Sequence, residues 1–398
     1  MALGACTSGS QKATTSPTTA ATRTSSAPNS AAASCPSAPG VTATTIKIGE
    51  ISPQSGQSAA ARAGFLDGVE AAIDLQNAQG GVNGRILTLV SRDDQGSVTG
   101  NLAAAQDLVQ NAGVLGIIET EVQDGSGSYL AANDVPLVGH SSTPAFVATN
   151  KNTFGILGAY SSTTPYLAAM ANFMKSQGVT SIAVLSHADP QSANAAKIFS
   201  KDAESAGIRA GYTRLNVPLV PGDFTGDATS MASAGVNGAY LPLLDQVALA
   251  LHQAATQAGV KFKVYLFPNL YNPSTIQQVA STINGTYTVS AVAPLEENLP
   301  EQQTFQHALK TYRAGAQISD NTMEGWASAR TFVAAVQKSG VCPTRASVVG
   351  TFSTFANYTE NGFLAPITFG QPESCNYVIK ITTAGYQPLN NNQPYCAT

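Results

Sequence analysis

Residues 46–95 read IKIGEISPQSGQSAAARAGFLDGVEAAIDLQNAQGGVNGRILTLVSRDDQ, and two hydrophobic periods follow one another within them. Ile46, Ile48 and Glu50 alternate with Lys47, Gly49 and Ile51, the period of a strand rich in β-branched residues. A Ser52-Pro53-Gln54-Ser55-Gly56 turn ends that run. The period then becomes helical: Phe65, Leu66, Val69, Ala72 and Ile73 share one face, and Asp67, Glu70 and Asp74 face away. Gly80-Gly81-Val82-Asn83-Gly84 is a second turn, Ile86–Val90 a second strand, and Asp93-Asp94 its end. Strand, helix, strand in this order implies a parallel sheet covered by helices.

The same alternation continues outward. A helix over Asn101–Gln110 and strands over Val114–Ile118 and Pro136–Gly139 complete a first series. A second series begins near residue 160. It holds helices over Thr164–Ser176, Asn194–Ser205 and Val247–Gln257, with a short one near Ala228. Its strands are Ser181–Ser186, Arg209–Leu215, Gly238–Leu241 and Phe262–Phe267. A strand over Thr286–Val292, helices over Glu301–Tyr312 and Met323–Lys338, and strands near Ile367 and over Tyr377–Ile381 follow. The expected fold class is α/β: two doubly wound parallel-sheet lobes with several chain crossings rather than one long sheet. No repeat is visible, and no run of 18 apolar residues suggests a membrane-spanning helix.

The chain has 398 residues, of which 43% are hydrophobic, enough for a sizeable core. Charged residues make up only 11% and the net charge is −4. Lys and Arg total 20 and nowhere cluster, so nucleic acid is not an expected partner. The four His residues form no HxxxH and the five Cys no CxxC, so no local metal motif is present. There is also no G-x-G-x-x-G after the first strand, no phosphate-binding G-x-x-x-x-G-K-[ST], no G-x-S-x-G and no HExxH. The expectation is a binding protein, with no enzyme activity, no cofactor and no metal.

Residues 1–44 differ from the rest. Leu3-Gly4-Ala5-Cys6 resembles a lipobox, in which small residues precede a cysteine that accepts a lipid. Residues 7–44 are almost wholly Ser, Thr, Ala and Pro with only Lys12 and Arg23 charged, too polar to offset the entropy of ordering. As a flexible tether such a segment reaches about 30–35 Å. Met1–Ala5 is too short to supply the charged and apolar regions of a signal peptide, so the gene is expected to encode residues upstream. The expected location is extracytoplasmic, at the outer face of the cell membrane, through a lipid on Cys6. A cytosolic protein with a polar tail and an incidental Cys6 is the competing reading. With Cys6 acylated, Cys35, Cys342, Cys375 and Cys396 remain, an even number that implies two disulfides in three possible pairings. We expect Cys342–Cys375 and Cys35–Cys396, the latter tying the N-terminal lead-in to the C-terminus.

In open α/β sheets ligands lie beyond the carboxyl ends of the strands. The loops there are 52–57, 119–128, 140–144, 187–191, 241–245 and 268–272, all rich in hydroxyls, amides or acids. Each such residue has the alternative role of capping a helix.

The order of these segments resembles the branched-chain amino acid (Leu/Ile/Val) binding protein family. The residues that carry it are the strand, S-G turn and G-x-x-x-A-[IV] helix face of 46–73, the N-x-x-G-G-[IV]-x-G turn at 77–84, and the strand ending in Asp93-Asp94. VPLVGHSSTPAF (135–146), LYNP (270–273) and EGWASARTFVAAVQ (324–337) continue it. The resemblance implies the type I periplasmic-binding fold: two lobes, three hinge crossings, a ligand in the cleft and closure on binding. It implies a monomer that serves the permease of an ABC importer, with a sensory receptor module lacking transport as the alternative. Lobe 1 is expected to span 45–158 and 289–370, and lobe 2 159–288 and 371–398. Gly158 and the 160–163 segment are expected at the first crossing, with later crossings near 286–292 and 365–373.

The family holds a ligand α-carboxylate on two loops of the first lobe. The second loop corresponds to His140-Ser141-Ser142-Thr143, which implicates Ser141, Ser142 and Thr143. The first reads Glu119-Thr120-Glu121-Val122-Gln123-Asp124, where Gln123 and Asp124 are candidates and the two Glu depart from the family pattern. An unpaired buried carboxylate there would repel a ligand carboxylate by about several kcal/mol. The family's ammonium-binding acid corresponds to Asn269, which is neutral. Asp189 is a candidate on the 187–191 loop, and Tyr160 and Tyr271 either wall the cleft or pack internally. These departures predict a ligand other than a simple branched-chain amino acid.

Overall fold

The computed structural model describes residues 35–56, 58–140, 143–157, 164–268, 270–274 and 276–397. Cys6 and most of the expected tether fall outside them, as do Gly158, Tyr160, Ser141, Ser142 and Asn269.

The first series runs β1 (Thr45–Ser52), α1 (Phe65–Ala78), β2 (Ile86–Asp93), α2 (Val98–Asp107), β3 (Ile117–Glu119), α3 (Gly127–Ala132), β4 (Leu137–Gly139) and β5 (Thr153–Gly155). Its five strands pair in parallel in the order β2-β1-β3-β4-β5. The second series runs α4 (Pro165–Ser176), β6 (Ser181–His187), α5 (Pro190–Ser205), β7 (Arg209–Val217), α6 (Thr225–Ser233), β8 (Gly238–Tyr240), α7 (Asp245–Gln257), β9 (Val264–Phe267), α8 (Ile276–Val279) and β10 (Tyr287–Ser290). The chain then gives α9 (Pro300–Tyr312), α10 (Asp320–Lys338) and α11 (Arg345–Phe352), and finally β11 (Cys375–Thr382), β12 (Gly385–Pro388) and β13 (Tyr395–Cys396).

Helices α9 and α10 pack on α1 and so belong to the first sheet's lobe, while β11 returns to the second sheet. The chain thus passes between lobes after β5, after β10 and before β11. Val289 and Ser290, expected in lobe 1, instead pair with Val378 and Tyr377 in the second sheet. That moves the second crossing past Ser290.

The second sheet, ordered β12-β11-β10-β9-β8-β6-β7, is parallel from β7 through β10. β11 runs antiparallel to β10, β12 and β13. An all-parallel lobe was expected; the difference arises because β11 enters from the third crossing rather than after a covering helix, and a short hairpin then joins it to β12. No strand forms at Ile367, which makes only an isolated bridge to Tyr358. Pro366 lacks the N–H a ladder needs.

The sequence periods become burial directly. Ile46 and Ile48 lie against Phe65, Val69, Ala72 and Ile73 in a core shared with Trp326 and Phe332 of α10. A second cluster, including Met170, Phe173, Ile182, Val184, Phe199 and Tyr240, fills the space between α4, α5 and the second sheet. Where α1 crosses α10, Gly68 faces the backbone of Thr322 and Gly325 the backbone of Phe65, an approach that any side chain would block. Among the described residues no helix is long and apolar enough to cross a membrane.

Two disulfides form, Cys35–Cys342 and Cys375–Cys396. The expected pairing was therefore wrong, although all four cysteines are used. Cys375 and Cys396 face one another directly in the β11–β13 ladder. Cys35 lies beside the end of α10 instead, where the buried Arg85 guanidinium donates to Thr42 O and Val341 O, both at 2.8 Å, and to the Cys35 sulfur at 3.3 Å.

Candidate functional site

The strands of the first sheet end in a dense polar edge. The Asp93 carboxylate closes the turn after β1, accepting from the N–H of Gln54 at 2.9 Å and of Gln95 at 2.8 Å. Asn101 on α2 donates to Asp94 at 3.2 Å and to Glu119 at 2.5 Å. The Ser126 hydroxyl donates to Glu119 at 3.2 Å, and that of Thr143 to Glu121. Glu119 and Glu121 are both wholly buried. Burial pushes both carboxyl groups up, and for Glu121 the neighbouring Glu119 adds to the effect. Burial thus disfavours the charged form of both groups, and with it the repulsion that two carboxylates would exert on a ligand anion.

Arg62, at the end of a short 3-10 turn over Ala59–Arg62, stands over this edge. Its Nη2 donates to Glu121 O at 3.4 Å, and its Nε is buried with no partner among the described residues. Across α10, His140 Nδ1 meets Glu324 Oε2 at 2.8 Å. Burial and the Arg62 charge push the His140 imidazole down, so the neutral ring donates Nδ1–H. Burial would also protonate Glu324, but His140 and Arg62 outweigh it and hold the carboxyl below its usual range.

Further acids come from the start of α10 in the same lobe, from the second lobe and from the third crossing. Asp320 begins α10 and is bracketed by the loop after β9: Tyr271 N–H donates to Asp320 Oδ2, and Asp320 N–H to Tyr271 O, both at 3.1 Å. Asp245 begins α7, and its carboxylate has no hydrogen-bond or ion-pair partner among the described residues. Burial alone pushes its carboxyl up to about 7. Asp320 is raised well above its ordinary value by burial, then by the Glu324 and Asp245 charges. Glu373, just before β11, accepts from Asn376 Nδ2 at 2.5 Å. Burial pushes it up to about 8, with Glu324 adding to the shift. Asp245, Asp320, Glu324 and Glu373 thus belong to one electrostatic neighbourhood between the lobes.

Several residues expected at the site are committed elsewhere. Thr143 gives its hydroxyl to Glu121. Gln123 is exposed. Asp124 caps a turn, accepting from Gly127 N–H at 2.9 Å, and Asp189 is the N-cap of α5, accepting from Ser192 N–H at 2.8 Å. Tyr271 is buried: its hydroxyl donates to Glu296 at 2.7 Å and accepts from Leu295 N–H at 2.6 Å, and its ring packs on Tyr386. It is a packed aromatic at the crossing. Arg62, Asp245, Asp320, Glu324 and Glu373 were not singled out by sequence. Three of them occupy the first or second turn of a helix, where an acid reads as ordinary helix chemistry.

A cavity of about 370 Å³ lies elsewhere, lined by Leu157, Pro165, Ala291, Pro366, Thr368 and Glu373 among others. Its walls come from all three chain crossings rather than from strand ends. It is a feature of the hinge, and it shares Glu373 with the acidic neighbourhood.

Two α/β lobes joined by three crossings, with facing carboxyl edges that are polar and charged, define a two-lobed solute-binding protein. The model of the family described as periplasmic binding protein matches residues 45–386, and the chain belongs to that family. It is accordingly an extracytoplasmic binding protein. Solved structures with the same fold include a branched-chain amino acid ABC transporter protein from Thermus thermophilus with bound valine. That protein is 15% identical, with a TM-score of 0.76 over 89% of this chain and 97% of that one. A fatty acid ABC transporter substrate-binding protein from Thermomonospora curvata is 20% identical, with a TM-score of 0.73 over 91% and 95%. The branched-chain amino acid binding protein LivJ from Streptococcus pneumoniae, in complex with isoleucine, is 15% identical, with a TM-score of 0.71 over 87% and 99%. No curated protein sequence matches the chain.

Proposed function

We propose that this protein captures a small polar solute between its lobes and delivers it to the permease of an ABC importer, tethered to the outer face of the membrane by a lipid on Cys6. The observation that carries this reading is the convergence of partly buried polar and charged groups from both lobes on one space, within a family of binding proteins. Arg62, His140 and Glu324 come from the first lobe; Asp245 comes from the second, and Glu373 from the third crossing.

The mechanism is a population shift. A ligand that touches both lobes gains its full contacts only when the cleft is shut, so it favours the closed form. The lobes are lobe 1, residues 45–158 with the segment from about 291 to 370, and lobe 2, the remainder from 159. The crossings follow Gly155 and Ser290 and precede Cys375, and residues flanking all three line the hinge cavity. Ligands named for the relatives, valine, isoleucine and fatty acid, are small organic molecules, and an amino acid, an amide or a related compound fits a wall this polar.

Mass spectrometry of the denatured, freshly purified protein tests the reading. A retained small molecule that rebinds the stripped protein at one per chain is the expected result. A protein that retains nothing and binds nothing would contradict it.

A further inference from the structure

We infer that the captured solute carries net positive charge, as a diamine, a polyamine, a guanidinium compound or a basic amino acid does. This inference rests on the solute-capture reading above and narrows it.

The first argument is a count of charges on facing walls. Asp245, Asp320, Glu324 and Glu373 all face the space between the lobes, in one electrostatic neighbourhood. The only permanent cation at that space among the described residues is Arg62, and it already faces Glu121 and Glu324. His140 is neutral and serves Glu324. Asp245, Asp320 and Glu373 are left without a cation. Proteins seldom withdraw acids from water without pairing them. Asp245 is the sharpest case: it is half-buried, and its carboxylate has no donor among the described residues.

A second observation does not depend on those acids. Glu121, two residues beyond the end of β3, is 0% exposed and its Oε2 has no partner. Ser186, at the end of β6 in the other lobe, is also 0% exposed with a bare hydroxyl. Buried polar atoms are almost always satisfied, by protein or by something else. Both of these lie where interior strands of the two lobes end, on the carboxyl edges where open α/β sheets take their ligands. A bare acceptor on each side suits N–H donors.

Competing ligand classes fit the walls less well. A zwitterion with one ammonium answers one acid, leaves two, and brings a carboxylate towards an acid-rich surface. A fatty acid brings a carboxylate and no donor. A cation with two or more nitrogen centres can meet Asp245, Asp320 and Glu373 together. The attraction of such a cation for ionised acids favours releasing the protons that burial has placed on them, so binding expels protons to the buffer.

The test is calorimetry on the full chain, stripped of any retained compound, at pH 7.5 in buffers of contrasting ionisation enthalpy. The probes are putrescine, spermidine, agmatine and arginine, with leucine, valine and octanoate alongside. The expected result is that at least one cation binds about 100-fold more tightly than leucine and releases protons. Asp245→Asn, which removes a charge but no structural bond, should weaken it about ten- to hundredfold. Glu373→Gln keeps the acceptor for Asn376 and should weaken it in the same direction. Leucine, valine or octanoate binding as tightly as the best cation would overturn the charge inference and leave solute capture standing. If no cation binds, the inference falls, and the mass-spectrometric search for a retained compound decides whether solute capture falls with it.

Discussion

Gly68→Ala is the substitution for which local propensity and tertiary packing predict opposite signs. In an isolated helix the change favours folding by about 1 kcal/mol, because Ala is the better helix former. At Gly68 the added methyl would sit 2.0 Å from Thr322 O and 2.7 Å from Trp326 N. Both are backbone atoms of α10 and cannot rotate away. To restore a tolerable contact α1 and α10 must part by about 1 Å, and overpacking of this kind costs about 1–3 kcal/mol or more. The clash lies at the high end of that range, so we expect a net loss of about 2 kcal/mol after the propensity gain. Gly350 on α11 has nothing within 4 Å of its own added methyl. Gly350→Ala should therefore stabilise by up to about 1 kcal/mol. Trp326 is the chain's single tryptophan and lies buried on α10, so its fluorescence during urea unfolding reports on this lobe. The displaced helix also carries Asp320 and Glu324, so Gly68→Ala should weaken ligand binding where Gly350→Ala does not. A Gly68→Ala protein as stable as its parent would refute the close crossing of α1 and α10.

Three further outcomes follow from other parts of the fold. Glu50 is buried in β1, with one carboxyl oxygen accepting from Ser91 and the other bare, and burial pushes it up to about 7. A folded value above the unfolded one means that its contribution to stability is complete below about pH 4.5 and is lost as pH rises to about 7. Glu50→Gln should therefore gain about 1–3 kcal/mol over the parent at pH 8 and nothing at pH 4, measured by urea unfolding at both; equal gains at the two would sink the assignment. Replacing Cys375 and Cys396 with Ser opens a bridge between residues 21 apart, worth about 3 kcal/mol on loop-closure arguments; scanning calorimetry should show the second lobe melting earlier, and an unchanged trace would contradict its structural role. Arg85→Met leaves the carbonyls of Thr42 and Val341 bare and should cost about 2–4 kcal/mol in the same calorimeter, with solute affinity unchanged because Arg85 lies at the amino edge of its sheet.

How far the sequence could be read depended on the range of the forces involved. β1, α1 and β2 were legible because each buries one face, and burial at period two or 3.6 leaves its mark in consecutive residues. β5 has only three residues, too few to show a period. α11 was missed although Thr344 and Ser347 form a reciprocal cap at its start, because that pair reads as loop chemistry without an apolar stripe behind it. The disulfides show a different limit: that four cysteines would pair was a matter of compartment and number, but partners depend on chain ends meeting in space. Cys396 reaches Cys375 through a two-residue strand that no pattern announces. Asp189 was a reasonable candidate and became a helix cap because α5 begins four residues earlier than its apolar pattern. Asp245 and Asp320 failed in the opposite direction. Each resembles an ordinary acid in the first turn of a helix, and only the meeting of two lobes sets it beside other acids with no cation opposite.

Scattering by the stripped protein, with and without the compound recovered from it, tests the account most directly. Added at saturation, that compound should bind one per chain and reduce the radius of gyration as the lobes close. A radius unchanged by a compound that binds would contradict closure about the three crossings, and a protein from which no small molecule can be recovered or rebound would contradict solute capture itself.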